Sequence, residues 1–148
     1  MRWRTLALCL LISHAAGFIG SFFTASSVRT WYLTLTFPAF QPPSWLFGPV
    51  WLTLFTLIGI ALYLVWPDKN ASYWFAAHWV LNMLWSILFF GLQNPLAALV
   101  DIILLNGAIV GMISAFYRVN KVTLWLLLPY AFWVLFATLL NTAIVALN

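Results

Sequence analysis

The chain has 148 residues, the length of one domain (1–148), and 66% of them are hydrophobic while only 5% are charged. Soluble domains carry about 25% charged residues, so this composition excludes a soluble globule and predicts a protein surrounded by lipid. The net charge is +4, but the basic residues are scattered along the chain, which argues against a nucleic-acid partner.

Five stretches are long and apolar enough to cross a bilayer, because a spanning helix needs about 20 mostly apolar residues. They lie at about 5–26, 45–66, 72–92, 96–117 and 122–147. The runs are too long for strands and do not alternate. Backbone in lipid must also satisfy its own hydrogen bonds. The predicted fold is therefore an all-α membrane protein, a five-transmembrane-helix bundle.

The first of these stretches has a competing interpretation. MRWRTLALCLLISHAA has the basic start, apolar middle and small residues of a signal peptide. The apolar run continues past Ala16 through Gly17, Phe18 and Ile19, however. We therefore expect it to be the first membrane span.

The charges predict an orientation. Five spans place the termini on opposite sides of the membrane, and most basic residues fall on the N-terminal side: Arg2, Arg4, Lys69, Arg118 and Lys121. Arg29 alone falls on the other side. The positive-inside rule predicts a cytoplasmic N-terminus, with the C-terminus and the first loop outside. This fits a plasma membrane best, although bacterial and mitochondrial outer membranes stay open.

The first connection, at about 27–44, is much longer than the others and rich in prolines and aromatic rings. Connections beyond about 12–15 residues are uncommon and usually functional. Proline fixes φ and removes an amide donor, so the loop should be stiff. Ser44 is a candidate N-cap for the next helix. We interpret the loop as an aromatic lid over the bundle; an interfacial loop anchored in headgroups is an equally good interpretation.

Three predicted helices carry faces that combine a deep tryptophan with small or amide residues. These faces are Trp51 and Phe55 on the second span, His78, Asn82, Trp85 and Phe89 on the third, and Trp133, Ala137, Leu140 and Asn141 on the fifth. Hydrogen-bonding between helices explains Asn82, Asn106 and Asn141 better than ligand contact does. For Trp51 and Trp133, a ligand wall and a core position are equally good explanations.

Patterns for catalysis or metal binding are scarce. Asp101 is the one acid within a span, and we expect it to reach water or cap a neighbouring helix rather than to contact ligand. Cys9 should be an inert core residue. His14 and His78 could ligate haem iron, but a helix histidine is more often a packing residue, and no cluster suits zinc.

Small residues at four-residue spacing predict close helix contacts. Gly107 and Gly111 form a GxxxG pair on the fourth span, and Gly17 and Ser21 form a weaker pair on the first.

Taken together, these segments resemble the TspO/translocator protein family, also called tryptophan-rich sensory or peripheral benzodiazepine receptor proteins. The resemblance covers nearly the whole chain. It is carried by GFIG at 17–20, PPSW at 42–45, PVW at 49–51, ALYLVW at 61–66, LNMLWSILFFG at 81–91, ALVD at 98–101 and PYAFWVLFATLLN at 129–141.

The resemblance implies a five-helix bundle in a lipid bilayer, often a homodimer, with an apolar pocket beneath the first loop. That pocket takes porphyrins such as protoporphyrin IX or haem, benzodiazepine-type drugs and, in animal members, cholesterol; no cofactor is required. The pocket positions it implies are Tyr32, Pro42, Trp51, Phe55, Asn82, Trp85, Phe89, Asp101, Leu104, Trp133, Ala137 and Leu140. Aromatic walls suit flat apolar macrocycles.

The chain departs from the family pattern at several positions. Thr142 and Ala146 stand where the animal cholesterol motif needs a tyrosine and a basic residue, so cholesterol should bind more weakly than porphyrin. Ala97 and Phe37 replace a tryptophan and a lysine found in other members.

We therefore expect a membrane receptor or sensor for tetrapyrroles and related apolar ligands. One alternative is a light-dependent porphyrin-degrading enzyme with Trp51 and Trp133 as electron-rich partners. The other is a porphyrin or sterol transporter, which a single intramembrane acid and five spans without a repeat disfavour.

Overall fold

The computed structural model describes residues 2–148, and within that range it contains helices and loops but no strand. Its five long helices are α1 (Trp3–Ser27), α2 (Ser44–Val65), α3 (Lys69–Ser86), α4 (Pro95–Val119) and α5 (Thr123–Leu147). A 3-10 turn (Trp31–Thr34) lies in the first loop, and a π-helical turn (Ile87–Gly91) continues α3. Each long helix, with α3 extended to Gly91, is long and apolar enough to cross a membrane. The predicted all-α, five-span architecture is confirmed.

The N-terminal stretch with signal-peptide character is one unbroken helix. α1 runs for 25 residues from Trp3 to Ser27. Its length matches the thickness of a bilayer, since a spanning helix needs about 20 residues. The interpretation as a first span is the one that the structure supports.

The helices pack as a closed ring in the order α1, α2, α5, α4, α3. The first loop and the C-terminus meet at one end of this ring. The Thr36 backbone N–H donates to Asn148 Oδ1 at 2.8 Å, and Asn148 Nδ2 donates to the Thr36 carbonyl at 3.0 Å. We call this end of the bundle the loop end.

Away from the loop end, apolar side chains fill the ring as a packed core, and they have almost no exposed surface: Ile58, Leu62, Met112, Phe116 and Leu127. Gly111 lets the ring of Trp74 lie against α4, because a Cβ at position 111 would overlap that ring. Gly107 is exposed, and nothing among the described residues lies within 4 Å of its Cβ position. Within the bundle, the predicted close contact is therefore made by Gly111.

Three asparagines join helices, as predicted: Asn82, Asn106 and Asn141, the last of which bonds to Trp85 on α3 and Pro95 on α4. Asn82 Nδ2 donates to the Tyr130 hydroxyl at 3.1 Å, between α3 and α5. Asn106 Nδ2 donates to Thr138 Oγ1 at 2.9 Å, between α4 and α5. In lipid such bonds are worth roughly 0.6–2 kcal/mol each.

The start of α2 differs from the prediction. Ser44 is already the first helical residue, and the cap position is Pro43, which makes no side-chain capping bond. Pro43 holds an extended backbone with φ −60° and ψ 140°, so the boundary falls at the proline and Ser44 is not the N-cap. The side chains of Asp68 and Asn94 do cap helices, each accepting a backbone N–H.

Candidate ligand-binding cavity

A cavity of about 600 Å³ lies inside the ring at the loop end. All five helices, the π turn and Tyr32 of the first loop contribute to its wall, which is mostly apolar. Small-molecule sites typically enclose about 300–1,000 Å³ and are lined by apolar side chains with a few polar groups. Both the size and the lining match a site for one small molecule.

Stacked aromatic pairs form much of the wall. On α2, Trp51 and Phe55 stack with ring centroids 5.4 Å apart. On α3, Trp85 stacks on Phe89 at 4.9 Å. From α5, Trp133 meets Phe47 edge-on at 5.8 Å. The i, i+4 spacing that produces the two stacked pairs is the spacing seen in the sequence.

The π turn at the end of α3 widens the aromatic wall. The Leu92 N–H donates to the Ile87 carbonyl at 2.8 Å, five residues back. This turn holds Phe89 and Phe90, and both adjacent rings line the cavity. π turns are rare and often lie at functional sites.

The first loop closes the loop end of the cavity. The ring of Tyr32 packs on Phe37 at 4.8 Å and on Phe90 at 5.5 Å. Its hydroxyl accepts a hydrogen bond from Gln41 Nε2 at 2.8 Å. Burial raises the pKa of Tyr32 above its ordinary value, and the Gln41 bond opposes that shift in part. These rings act as the predicted lid, although Leu33 and Phe40 of the same loop are exposed.

The cavity opens sideways between α1 and α2. Six of its lining residues are exposed on the outer surface of the bundle: Phe18, Ser21 and Ala25 on α1, and Ser44, Gly48 and Leu52 on α2. A Cβ at Gly48 would meet nothing within 4 Å among the described residues. Since this surface belongs to membrane-spanning helices, a ligand dissolved in the bilayer has direct access to the cavity.

One hydrogen-bond donor in the wall has no partner. Trp133 Nε1 is buried and finds no acceptor within residues 2–148. By contrast, Trp85 Nε1 donates to Asn141 Oδ1. A buried indole N–H without an acceptor costs free energy, and an acceptor on a ligand would remove that cost.

Most of the positions implied by the family resemblance line the cavity: Tyr32, Trp51, Phe55, Asn82, Trp85, Phe89, Trp133, Ala137 and Leu140. Asn141 lines it too. The faces on α2 and α5 are brought together as predicted. His78, which shares the α3 face by spacing, is buried behind the wall instead.

Three implied positions lie outside the wall. Leu104 is 58% exposed on the outer surface of α4, and Leu105 lines the cavity instead. Adjacent helix residues are separated by about a quarter turn, so a shift of one position moves the side chain off the wall. Pro42 is half-buried in the loop, outside the lining.

Asp101 is buried at 3% exposure but does not line the cavity. Neither carboxylate oxygen has a hydrogen-bond partner within the described part of the chain. It therefore caps no helix there, so of its two expected roles, reaching water or capping a neighbouring helix, the second is not observed.

Several lining residues were not predicted to be part of the site, among them Gly20, Phe47, Phe90 and Val134. His14, which was expected to be a packing residue rather than a haem ligand, also lines the cavity. Gly17 and Ser21, predicted as a helix-packing pair, also line the cavity. The small residues at four-residue spacing on α1 could have predicted this, because a helix face without large side chains leaves space for a ligand as well as for a neighbouring helix.

Comparison with known proteins is consistent with this architecture. A sequence profile of the TspO/MBR family matches residues 9–147. The chain is 53% identical to the tryptophan-rich protein TspO of Archaeoglobus fulgidus, over 97% of this chain and 96% of that protein. It is 46% identical to the tryptophan-rich protein TspO of Chlorobaculum tepidum, with the same coverage. The human translocator protein is 36% identical over 84% of this chain and 78% of its own length. The chain belongs to the TspO/MBR family of membrane proteins.

Proposed function

We propose that this protein is a membrane receptor that binds porphyrins and related flat, apolar ligands in the cavity. Membership of the family supports a role of receptor or transporter type in a membrane. The observation that carries the finer proposal is a cavity with two stacked aromatic pairs and the unpaired N–H of Trp133.

The chemistry of a porphyrin complements this wall. The macrocycle is flat and apolar, so it gains from contact with the rings of Trp51, Phe55 and Trp85. Its edge carries carboxylate groups, which accept hydrogen bonds, and the Trp133 N–H supplies a donor. The opening between α1 and α2 gives a membrane-dissolved ligand a route into the site.

A tryptophan-fluorescence titration with protoporphyrin IX and with cholesterol tests the proposal. Protoporphyrin IX should quench the wild type saturably, and cholesterol should bind more weakly because Thr142 and Ala146 offer no tyrosine and cation. Trp133→Phe keeps a ring but removes the donor, and we expect affinity to fall about tenfold, which corresponds to about 1.4 kcal/mol. The control is Trp125→Phe, at an α5 position that is 73% exposed; an equal loss in both variants would contradict the proposal.

A second candidate function is light-dependent oxidation of the bound porphyrin by dioxygen. The placement of Trp51 and Trp133 in the same cavity wall favours it. Illumination of the purified protein with protoporphyrin IX separates the two functions. A defined product formed in molar excess over protein supports the enzyme, whereas bleaching that is equal with and without protein supports the receptor.

Transport of porphyrin across the membrane is a third candidate function, and an uptake assay tests it. Uptake of porphyrin into sealed vesicles that contain the protein, above that of protein-free vesicles, would favour a transporter. As part of the proposal, the N-terminus faces the cytoplasm, and the C-terminus and first loop face the other side.

A further inference from the structure

A second concave site lies toward the end of the bundle opposite the loop end. It is a groove of about 290 Å³ where α1, α2 and α3 meet. Its lining includes Ile12 of α1, Leu62 and Trp66 at the end of α2, and Ala76 and Trp79 of α3. Within residues 2–148 it shares no lining residue with the loop-end cavity, so the proposed receptor function does not use it.

The groove is an apolar depression in a membrane-spanning surface. Leu62 and Phe75 form its buried floor, while Trp66 and Ala76 are exposed at its rim. The Trp79 indole N–H donates to the Ile12 carbonyl at 2.8 Å and ties α3 to α1 along the groove. The three helices are long and apolar enough to cross a bilayer, so the hydrocarbon chains of lipids reach this depression directly.

The size of the groove favours a slender ligand. Small-molecule sites typically enclose about 300–1,000 Å³, and this groove lies at the lower end of that range. A single acyl chain fits such a volume better than a broad macrocycle does. From Ser72 to Trp79 the groove follows α3 for about 10 Å, at about 1.5 Å per residue.

A cation of α3 lies beyond the outer end of the groove. Lys69, Ser72, Ala76 and Trp79 follow one another at spacings of three, four and three residues, which places them on one face of the helix. The last three line the groove. Lys69 is exposed and stands about 4.5 Å further along the helix axis than Ser72, toward the membrane surface.

The start of α1 brings a second cation to the same place. The Arg2 backbone N–H donates to the Tyr63 hydroxyl at 3.1 Å. Tyr63 lies between the lining residues Leu62 and Trp66 in the sequence. The first residues of α1 are therefore held beside the outer end of the groove, where the side chain of Arg2 is exposed.

The charge at this end of the groove is mostly unneutralised. The chain has two acidic residues. Asp101 is buried within α4, which leaves Asp68, the N-cap of α3, opposite Arg2, Arg4 and Lys69. The groove thus combines an apolar inner part with a positively charged outer end.

This combination matches a phospholipid, whose acyl chains end at a phosphate near the membrane surface. Arg and Lys bind phosphate oxygens through charge-assisted hydrogen bonds, and basic pockets between spanning helices suit anionic headgroups. We propose that one anionic phospholipid binds here, with an acyl chain in the groove and its phosphate between Arg2 and Lys69. A zwitterionic lipid has the same phosphate but adds a cation, which Arg2 and Lys69 repel, so the site should prefer the anionic lipid.

Native mass spectrometry of the full chain in detergent tests the proposal. The protein is mixed with phosphatidylglycerol or with phosphatidylcholine that has the same acyl chains, and the lipids retained per chain are counted. The wild type should retain one phosphatidylglycerol per chain, with an affinity at least about fivefold above that for phosphatidylcholine. The spectrum also reports whether the chain is a monomer or a dimer.

Two substitutions remove the charges at the outer end of the groove. Lys69→Gln and Arg2→Gln should each weaken phosphatidylglycerol binding about fivefold, the equivalent of about 1 kcal/mol. Lys121→Gln is the matched control. It removes the same charge from the connection between α4 and α5, across the helix ring from α1, and it should leave the affinity within about twofold of the wild type.

A third substitution fills the groove itself. Ala76→Phe should abolish the specific phosphatidylglycerol adduct, because the added ring occupies the space of the acyl chain. Ala146→Phe is its control, at an exposed position of α5 outside the lining, and should keep the adduct. Both positions are exposed, so both variants should melt close to the wild type.

Three results would overturn the proposal. They are equal retention of the two lipids by the wild type, an equal loss in Lys69→Gln and Lys121→Gln, and full retention of phosphatidylglycerol by Ala76→Phe. A dimer without bound lipid that dissociates in Ala76→Phe would also overturn it, because a second copy of the chain would then cover the groove.

Discussion

Trp85 donates its indole N–H to Asn141 Oδ1 at 3.0 Å, and the Asn141 amide donates in turn to the Pro95 carbonyl at 2.9 Å. One asparagine on α5 therefore connects the aromatic wall on α3 with the first residue of α4. Both Trp85 and Asn141 line the cavity. The position of the Trp85–Phe89 stack depends on this bridge.

Replacing Asn141 should affect both stability and binding. Asn141→Ala leaves the Trp85 N–H without an acceptor and removes the side-chain bond to the Pro95 carbonyl, and we expect the free energy of unfolding to fall by about 1–2 kcal/mol. Porphyrin affinity should also fall, because the Trp85 ring is no longer held. Asn106→Ala is the matched control, since it removes the bond to Thr138 and Asn106 does not line the cavity. A loss of affinity of the same size in the control would contradict a specific role for the bridge.

Ala137 and Trp133 both line the cavity, one turn apart on α5, and we expect the small side chain at position 137 to keep a slot open beside the Trp133 ring. Ala137→Phe should fill that slot and weaken porphyrin binding severalfold or more, while the melting temperature stays close to that of the wild type. Leu139→Phe is the control, because Leu139 is 65% exposed on the same helix. If Ala137 were a helix-packing contact, overpacking would cost about 1–3 kcal/mol, and the melt and binding would fall together.

The orientation is testable by labelling single cysteines. Cys9 is buried, and a Cys9→Ser background removes it. We expect a cysteine at position 30, beside Arg29, to react with an impermeant reagent added to intact cells, and one at position 120, between Arg118 and Lys121, to be protected. Labelling of position 120 from outside would reverse the topology.

The lid should loosen at high pH. Because burial raises the pKa of Tyr32 above its ordinary value of about 10, the folded loop favours the neutral phenol. Its contribution to stability is complete below the unfolded pKa and is lost as the pH rises through the folded pKa. The difference in melting temperature between the wild type and Tyr32→Phe should thus be constant up to about pH 9 and change above about pH 10. A flat difference to pH 11 would show that the folded loop does not shift the pKa of Tyr32.

The sequence predicts the spans well because the mean hydropathy of a stretch of about 20 residues changes little with any single residue in it. It also predicts the faces on α2 and α5, where i, i+4 spacing places Trp51 with Phe55 and Trp133 with Ala137 on one side of each helix. It fails on α4, because Leu104 and Leu105 are the same residue type and an evenly apolar helix does not mark its inner face. Phe90 was missed because the π turn changes the helical spacing.

The measurement that tests the account most directly is the number of porphyrins bound per chain in lipid nanodiscs, with empty nanodiscs as the reference. If the aromatic cavity is the site, wild-type protein should bind protoporphyrin IX saturably, one molecule per chain, above the uptake of the lipid alone, and Ala137→Phe should lose that component. Uptake that rises linearly, equals that of empty nanodiscs or is unchanged in Ala137→Phe would contradict the proposal that this cavity is a porphyrin receptor.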